Sequence, residues 1–168
     1  MPRIDKIILL VGLMGSGKTT VAKIFASDNH FKVIDVDSII EQNEHCEISE
    51  IFKTKGEEYF RKIEQQTIMD NFKLENTVIS LGGGAFENER VREFLLKNST
   101  VVYLKTSPAV IFERIKNDTT RPLLHGKMNT ETIAEILNKR EKNYLSAHKT
   151  IITDGKTPQQ IVLELEND

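Results

Sequence analysis

Short apolar runs rich in β-branched residues alternate along the chain with longer stretches in which apolar residues recur three and four positions apart. Runs of the first kind are typical of buried strands, and the second spacing, as in Val21, Ile24 and Phe25, is typical of amphipathic helices. The runs predict five strands, at Ile4–Val11, Lys32–Asp35, Thr77–Leu81, Thr100–Leu104 and Thr150–Thr153. Buried strands that alternate with helices indicate a parallel sheet covered on both faces, in a single α/β domain.

Capping residues place several helix starts. A hydroxyl N-cap followed by proline occurs at Ser107 and again at Thr157, and a further helix opens at Thr130. Residues 116–129 interrupt the pattern with a polar stretch that contains Arg121. We expect this segment to be a mobile, lid-like loop over the edge of the sheet.

Composition excludes several classes of protein. The 168 residues include 23 Lys and Arg against 25 Asp and Glu, a net charge of −2, so the chain lacks the basic excess of a general nucleic-acid-binding protein. The longest apolar run, Ile7–Val11, is too short for a membrane span, and no signal peptide is predicted. Cys46 is the only cysteine, which excludes an intramolecular disulfide and a multi-cysteine zinc site, and its acidic surroundings argue against a reactive thiolate. We therefore expect a cytoplasmic protein that binds neither nucleic acid nor membrane.

The stretch Gly12–Thr19 fits the pattern G-x-x-x-x-G-K-[ST], directly after a predicted strand and at the start of a predicted helix. Glycines let the backbone curl so that its N–H groups point at phosphate oxygens, and the helix adds its positive dipole end. Lys18 is expected to face the β- and γ-phosphates of ATP in solvent, and the Thr19 hydroxyl to bind Mg²⁺. The phosphate-binding set is Gly15, Ser16, Gly17, Lys18, Thr19 and Thr20.

Two carboxylates, Asp35 and Asp37, follow the second predicted strand. Strand alternation would point both to the same side at the carboxyl edge of the sheet, where α/β proteins bind ligands. One carboxylate could then help to hold hydrated Mg²⁺ while the other orients or deprotonates an alcohol. The alternative is a pair of strand-end caps, with Asp37 as the N-cap of residues 38–41.

Other features also admit both a functional and a structural interpretation. Arg61 and Glu64 lie three residues apart in a helical pattern, which fits a ligand-binding arginine or a surface ion pair. The run Gly82–Gly84 after the third predicted strand permits close approach of a ligand, or forms a plain flexible turn. Arg121 stands beside a proline in the predicted lid, where closure could carry it to the transferring phosphate; a solvated arginine is the alternative.

Together these segments resemble the shikimate kinase family, small P-loop kinases of the nucleoside-monophosphate-kinase type. The resemblance runs nearly end to end and rests on Gly12–Thr19, Asp35-x-Asp37, Gly56-Glu57-x-x-Phe60-Arg61-x-x-Glu64, Gly82-Gly83-Gly84, Arg121-Pro122-Leu123-Leu124 and Arg140-x-x-x-Tyr144. It implies a P-loop NTPase-type three-layer sandwich, with a five-stranded parallel sheet of order 2-3-1-4-5 and helices on both faces. It also implies a lid near residues 116–129 and an acceptor-binding helical region near residues 37–73. The implied activity is ATP- and Mg²⁺-dependent phosphorylation of the shikimate 3-hydroxyl, on the way to chorismate and aromatic amino acids, by a monomer.

The resemblance also implies roles for individual residues. The shikimate-binding residues would be Asp37, Arg61, Gly82, Gly83, Gly84 and Arg140, with both arginines on the carboxylate. The catalytic residues would be Lys18, Asp37 and Arg121, and Thr19 and Asp35 would serve Mg²⁺. Arg114 would pack on adenine, and Arg121 and Lys156 would also contact ATP. The chain departs from the family in two places, since Lys156 stands where an arginine is common and Lys142-Asn143 where Pro-Leu is common.

Two other functions fit part of the pattern. A gluconate kinase-like enzyme shares the phosphate loop and a small acceptor with a carboxylate, and an ADP-release assay with both acceptors separates the two. An ATP-binding switch or assembly module would bind a partner according to its nucleotide and show no acceptor-stimulated hydrolysis. The combination of Asp37, Arg61 and the three glycines favours an acceptor pocket over a switch.

Overall fold

The computed structural model describes residues 6–72, 75–116 and 129–167. Five parallel strands form one sheet in the order β2-β3-β1-β4-β5. They are β1 (Ile7–Val11), β2 (Lys32–Asp35), β3 (Thr77–Ser80), β4 (Thr100–Lys105) and β5 (Lys149–Ile152). The predicted strands and their order are confirmed, with every bound within one residue of the prediction apart from the start of β1, which lies at Ile7.

Seven α-helices lie in the described parts of the chain, together with a short 3-10 helix at Ala85–Glu87. They are α1 (Lys18–Asn29), α2 (Val36–Glu44), α3 (Ile48–Asn71), α4 (Glu89–Asn98), α5 (Pro108–Ile115), α6 (Thr130–Tyr144) and α7 (Pro158–Glu166). Ser107 caps α5 and Thr157 caps α7, each with its side chain accepting a backbone N–H of the first turn. The three helix starts predicted from capping residues are confirmed.

The α3 helix is kinked where the sequence pattern predicts continuous helix. Gly56 has φ 86° and ψ 167°, which no residue inside an α-helix adopts. The kink divides α3 into a segment before Gly56 and a segment after it, and the second carries Arg61 and Glu64.

Apolar side chains pack on both faces of the sheet, because successive residues of a strand point to opposite sides. Leu9 and Val11 of β1 join the larger core, which α2 to α6 cover. Ile8 and Leu10 of the same strand join the smaller core, which α1 and α7 cover. The result is the three-layer sandwich that the near-continuous apolar strands predict.

The topology brings three loops to one edge of the sheet. The strands β2, β3 and β1 are neighbours, so the segments that follow their carboxyl ends meet there. These segments are the phosphate loop, the junction of β2 and α2 at Asp35–Asp37, and the run Gly82–Gly84. Among the described residues, no helix has the length and apolar character needed to cross a membrane.

Candidate active site

A cavity of about 570 Å³ opens at this edge of the sheet. The predicted site residues that line it are Gly15, Gly17, Lys18, Thr19, Thr20, Asp35, Asp37, Arg61, Gly82, Gly83, Gly84, Arg114 and Arg140. The fold therefore gathers residues from six separate stretches of the chain into one pocket. Ser16, within the phosphate loop, is buried and does not line the cavity.

The phosphate loop is held in its curl by its own backbone. Gly17 has φ 91°, in the left-handed region that favours glycine, and serves as the N-cap of α1. The Ser16 N–H donates to the Leu13 carbonyl at 3.1 Å and closes the turn. This geometry places the N-terminus of α1, with its N–H groups and positive dipole end, at the cavity.

Lys18 lies under the phosphate loop rather than in solvent. Its side chain is buried, and Nζ donates to the carbonyl oxygens of Gly12 at 2.7 Å and Leu13 at 3.1 Å. The prediction of a solvent-facing lysine is wrong, because the loop folds back over the first residue of α1. Lys18 is nevertheless one of the residues that line the cavity, and the loop carbonyls hold its ammonium group in place.

Thr19 and Asp35 form one polar pair on the floor of the cavity. Thr19 Oγ1 donates to Asp35 Oδ2 at 2.9 Å, while Asp35 Oδ1 accepts the Ser38 N–H at 3.1 Å and caps α2. Oxygen ligands of this kind suit Mg²⁺, which takes one or two protein ligands and completes its shell with water and phosphate oxygens. The described residues contain no cluster of three or more His, Cys, Asp or Glu able to hold a metal by itself.

Asp37 reaches the cavity from the first turn of α2. The strand β2 ends at Asp35 and the helix begins at the next residue, so the strand-alternation argument for Asp37 is wrong. The helix N-cap is Asp35, which also corrects the alternative that Asp37 caps this helix. Both carboxylates line the cavity, because the chain turns into a helix between them.

The run Gly82–Gly84 makes room for three charged side chains. A Cβ on the first glycine would lie 2.8 Å from Asp37 Oδ1, and one on the second 3.0 Å from Arg140 Nη1. A Cβ on the third would lie 2.9 Å from Arg61 Cζ. The first and third distances are shorter than real Cβ contacts and the second is tighter than most, so a side chain at any of the three positions would displace the charged group beside it. The plain-turn interpretation does not account for this close approach.

Arg61 is paired with a buried carboxylate. Its Nη1 lies 2.8 Å from Glu64 Oε1, and Glu64 is only 2% exposed, so the surface-ion-pair interpretation is wrong. Burial raises the pKa of Glu64 from its ordinary 4.5 to about 7, Arg61 opposes that rise, and the nearby charge of Asp37 adds to it. Glu64 was not predicted as a residue of the site, although its three-residue spacing from Arg61 was a signal.

Arg140 and Tyr144 approach the glycine run from α6. They are four residues apart, so they share one face of the helix. Arg140 lines the cavity, and the Tyr144 hydroxyl donates to the Gly83 carbonyl. Tyr144 was part of the family pattern, but nothing in the sequence indicated this contact.

Of the two residues expected near adenine, Arg114 and Lys156, only Arg114 lines the cavity. Arg114 lines the cavity, and its Nη1 donates to the Gly15 carbonyl at 3.0 Å. Lys156 does not line the cavity and instead forms an ion pair with Glu164 of α7. The predicted lid and Arg121 lie outside the described residues, apart from Lys116 and Asn129 at the two ends of the segment.

Comparison with known proteins agrees with this geometry. The family model "Shikimate kinase" matches residues 14–168. A shikimate kinase of Persephonella marina is 44% identical over 159 residues, which cover 94% of this chain and 95% of the relative. The solved structure of shikimate kinase from Acinetobacter baumannii in complex with shikimate superposes with a TM-score of 0.91 at 32% identity, covering 96% of this chain and 90% of that one.

A gluconokinase from Sinorhizobium meliloti is similar in fold but not in sequence. Its structure gives a TM-score of 0.64 at 19% identity, over 96% of this chain and 90% of that one. A likeness at this identity shows the shared fold alone. It does not support the gluconate kinase alternative.

Proposed function

This chain belongs to the shikimate kinase family, and from that premise we propose that its cavity transfers the γ-phosphoryl group of ATP to the 3-hydroxyl of shikimate. The observation that carries the proposal is the convergence of Asp37, Arg61 and Arg140 on the glycine run, beside the phosphate loop and inside one cavity. A phosphate loop alone would fit many nucleotide-binding proteins. The adjoining pocket, with two arginines and a carboxylate, fits a small acidic polyol.

The phosphate loop would bind ATP through its backbone N–H groups and the N-terminus of α1. Lys18 adds a charge whose position the carbonyls of Gly12 and Leu13 already determine. A positive charge that is already in position where negative charge develops in the transition state lowers the activation barrier, because the protein does not have to rearrange during the reaction. This supports a catalytic role for Lys18.

The Thr19 and Asp35 oxygens are the residues that would hold Mg²⁺ beside the phosphates. They fit such an ion because two adjacent oxygen groups face the cavity and leave most of the coordination shell to water and phosphate. When bound, Mg²⁺ neutralises charge on the transferring phosphoryl group. Asp35 also caps α2, so one carboxylate connects the metal site to the helix that carries Asp37.

Arg61 and Arg140 would bind the shikimate carboxylate. A guanidinium presents paired planar donors that match a carboxylate, which makes arginine better suited than lysine. Glu64 holds Arg61 through Nη1 and so limits the orientations that the guanidinium can adopt. The glycine run lets both arginines approach the acceptor side of the cavity.

Asp37 would orient the attacking hydroxyl and accept its proton. Its Oδ1 lies against Gly82, on the side of the cavity that also carries Arg61. A carboxylate within hydrogen-bond reach of an alcohol can act as a general base. The proton would move from the shikimate hydroxyl to Asp37 as the oxygen attacks the γ-phosphorus and the bond to ADP breaks.

Arg114 would contact the adenine side of ATP, which its hydrogen bond to the phosphate loop supports. A role for Lys156 requires it to leave Glu164, and a role for Arg121 stays a prediction. Action as a monomer likewise stays a prediction. A cytoplasmic location and the absence of nucleic-acid and membrane partners also stay predictions.

The test is acceptor-dependent ADP release with shikimate, gluconate or a nucleoside monophosphate. We expect release with shikimate and little above background with the other two, and loss of release when Mg²⁺ is chelated. Preference for gluconate would contradict the proposal in favour of the sugar-acid alternative. ATP hydrolysis that no acceptor stimulates would favour a switch module.

A further inference from the structure

Tyr144 lies in an aromatic stack beneath the glycine run. Its side chain is fully buried between Tyr103 of β4, at 5.0 Å between ring centroids, and Phe86 of the 3-10 helix, at 6.4 Å. Both neighbouring rings are stacked on it, with interplanar angles of 27° and 17°. Stacking with two rings in a buried site restricts the plane of the ring and therefore the position of its hydroxyl.

The hydroxyl acts on the backbone of the cavity wall. It donates to the Gly83 carbonyl, within the run that lines the cavity. In a planar trans peptide the carbonyl and the next N–H point in opposite directions. The single hydrogen bond from Tyr144 therefore also fixes the direction of the Gly84 N–H.

Arg140 meets the same glycine from one helical turn earlier. Its Nη1 would lie 3.0 Å from a Cβ on Gly83, so guanidinium and backbone are in close contact. Burial raises the pKa of Tyr144 to about 12, and the adjacent Arg140 charge opposes the rise. The hydroxyl therefore stays protonated near neutral pH and remains a donor to the carbonyl.

We infer that Tyr144 is a positioning residue of the acceptor pocket, whose hydroxyl sets the placement of the Gly82–Gly84 run relative to Arg140. This assignment rests on the proposed function, in which the run and Arg140 bind shikimate. Without the hydroxyl, the Gly83 carbonyl loses its donor and the wall of the pocket can move against the guanidinium. The phosphate loop keeps its own hydrogen bonds, at Ser16 and Lys18.

Tyr144→Phe keeps the stacked ring and removes the donor. We expect KM for shikimate to rise about tenfold, as for loss of one buried hydrogen bond, while kcat changes less than about twofold and KM for ATP stays at the parent value. Tyr103→Phe is the matched control, since it removes a buried hydroxyl from the same stack. That control should keep the parent KM for shikimate even where its melting temperature falls.

A second pair of proteins keeps ring volume constant in case Tyr144→Phe does not fold. One carries 4-aminophenylalanine at position 144, which restores an N–H donor, and the other carries 4-methylphenylalanine, which fills the same space without one. The amino protein should show a KM for shikimate near the parent value, and the methyl protein a raised one. A purely structural role for the ring would give the two proteins the same KM.

The outcomes separate this assignment from the proposed function. If the parent protein does not phosphorylate shikimate, the proposed function fails and the assignment fails with it. If the parent is active and Tyr144→Phe keeps the parent KM, only the assignment is overturned. An equal rise in KM for Tyr103→Phe and Tyr144→Phe would also overturn it, because general loosening of the stack would then explain both.

Discussion

The phosphate half and the acceptor half of the cavity are built in different ways. The phosphate half comes mainly from one continuous stretch, Gly12–Thr20, whose shape is held by hydrogen bonds within the loop. The acceptor half takes Asp37, Arg61, the glycine run and Arg140 from four separate parts of the chain. Its geometry depends on tertiary contacts, among them the hydrogen bond from the Tyr144 hydroxyl to the Gly83 carbonyl.

This difference separates two kinds of sensitivity. A change in the phosphate half removes charge or donors that act on the transferring phosphoryl group, so it should lower kcat. A change in the acceptor half disturbs a pocket that binds a particular carboxylate, so it should raise KM and weaken discrimination. Substitutions in each half test whether effects on kcat and effects on KM separate in this way.

The largest effect is expected for Lys18→Met, which keeps the aliphatic stem and removes the ammonium group. Loss of one charge that stabilises the transition state should lower kcat about a thousandfold. The control is Lys23→Met, an exposed position on the same helix, which should retain parent activity. Steady-state ADP release measures both proteins, and near-parent kcat in Lys18→Met would remove the lysine from the mechanism.

Asp37→Asn should have the next largest effect. The amide keeps the size of the carboxylate but cannot accept the hydroxyl proton, so kcat should fall about a hundredfold or more. Asp37 belongs to the acceptor half by position, and this result would show that it acts on the chemical step. A loss confined to KM, measured over a range of shikimate concentrations, would mean that Asp37 only positions the acceptor.

Arg61→Lys tests whether the acceptor half recognises a carboxylate by shape or only by charge. Lysine keeps the charge but loses the paired planar donors, so Kd for shikimate should rise about ten- to a hundredfold. Lys62→Arg, the reverse change at the exposed neighbouring position, should leave Kd unchanged. Isothermal titration of both proteins gives the two values.

A shikimate analogue with a neutral amide in place of the carboxylate sharpens this test. The parent should bind the amide poorly, and Arg61→Lys should discriminate less between acid and amide. The two ligands and two proteins make a thermodynamic cycle that isolates the contact. An acid-to-amide penalty that is the same before and after the substitution would show that Arg61 is structural.

Glu64→Gln should have the smallest effect on turnover but a clear effect on stability against pH. The pKa of Glu64 is about 7 in the folded chain against 4.5 ordinarily, so the folded state binds the proton more tightly. Its contribution to stability is complete below pH 4.5 and is lost as pH rises towards 7, a change of about 3 kcal/mol. Urea unfolding at several pH values should show this decline in the parent, and the decline should be absent from Glu64→Gln.

Much of the fold could be predicted because its signals are local. Buried parallel strands are apolar on both faces, so runs such as Ile7–Val11 stand out, and helix caps such as Ser107 act within one turn. The kink at Gly56 could not be predicted, since apolar spacing is the same in one long helix and in two short ones. The end of β2 was predicted correctly, but the start of α2 directly after it was missed, because Asp35 serves at once as strand end and helix cap.

The phosphate loop could be predicted from the sequence because its glycines, lysine and threonine lie within one short motif and act through the backbone of that motif. The burial of Lys18 and Glu64, the contact of Tyr144 with Gly83, and the pairing of Lys156 with Glu164 depended on tertiary structure. The burial of a residue depends on what packs over it, and the Tyr144 contact joins residues 61 positions apart in the sequence. The tertiary structure alone therefore determines how far each side chain is exposed to solvent. That exposure in turn sets the pKa of Glu64 and the groups that each arginine can contact.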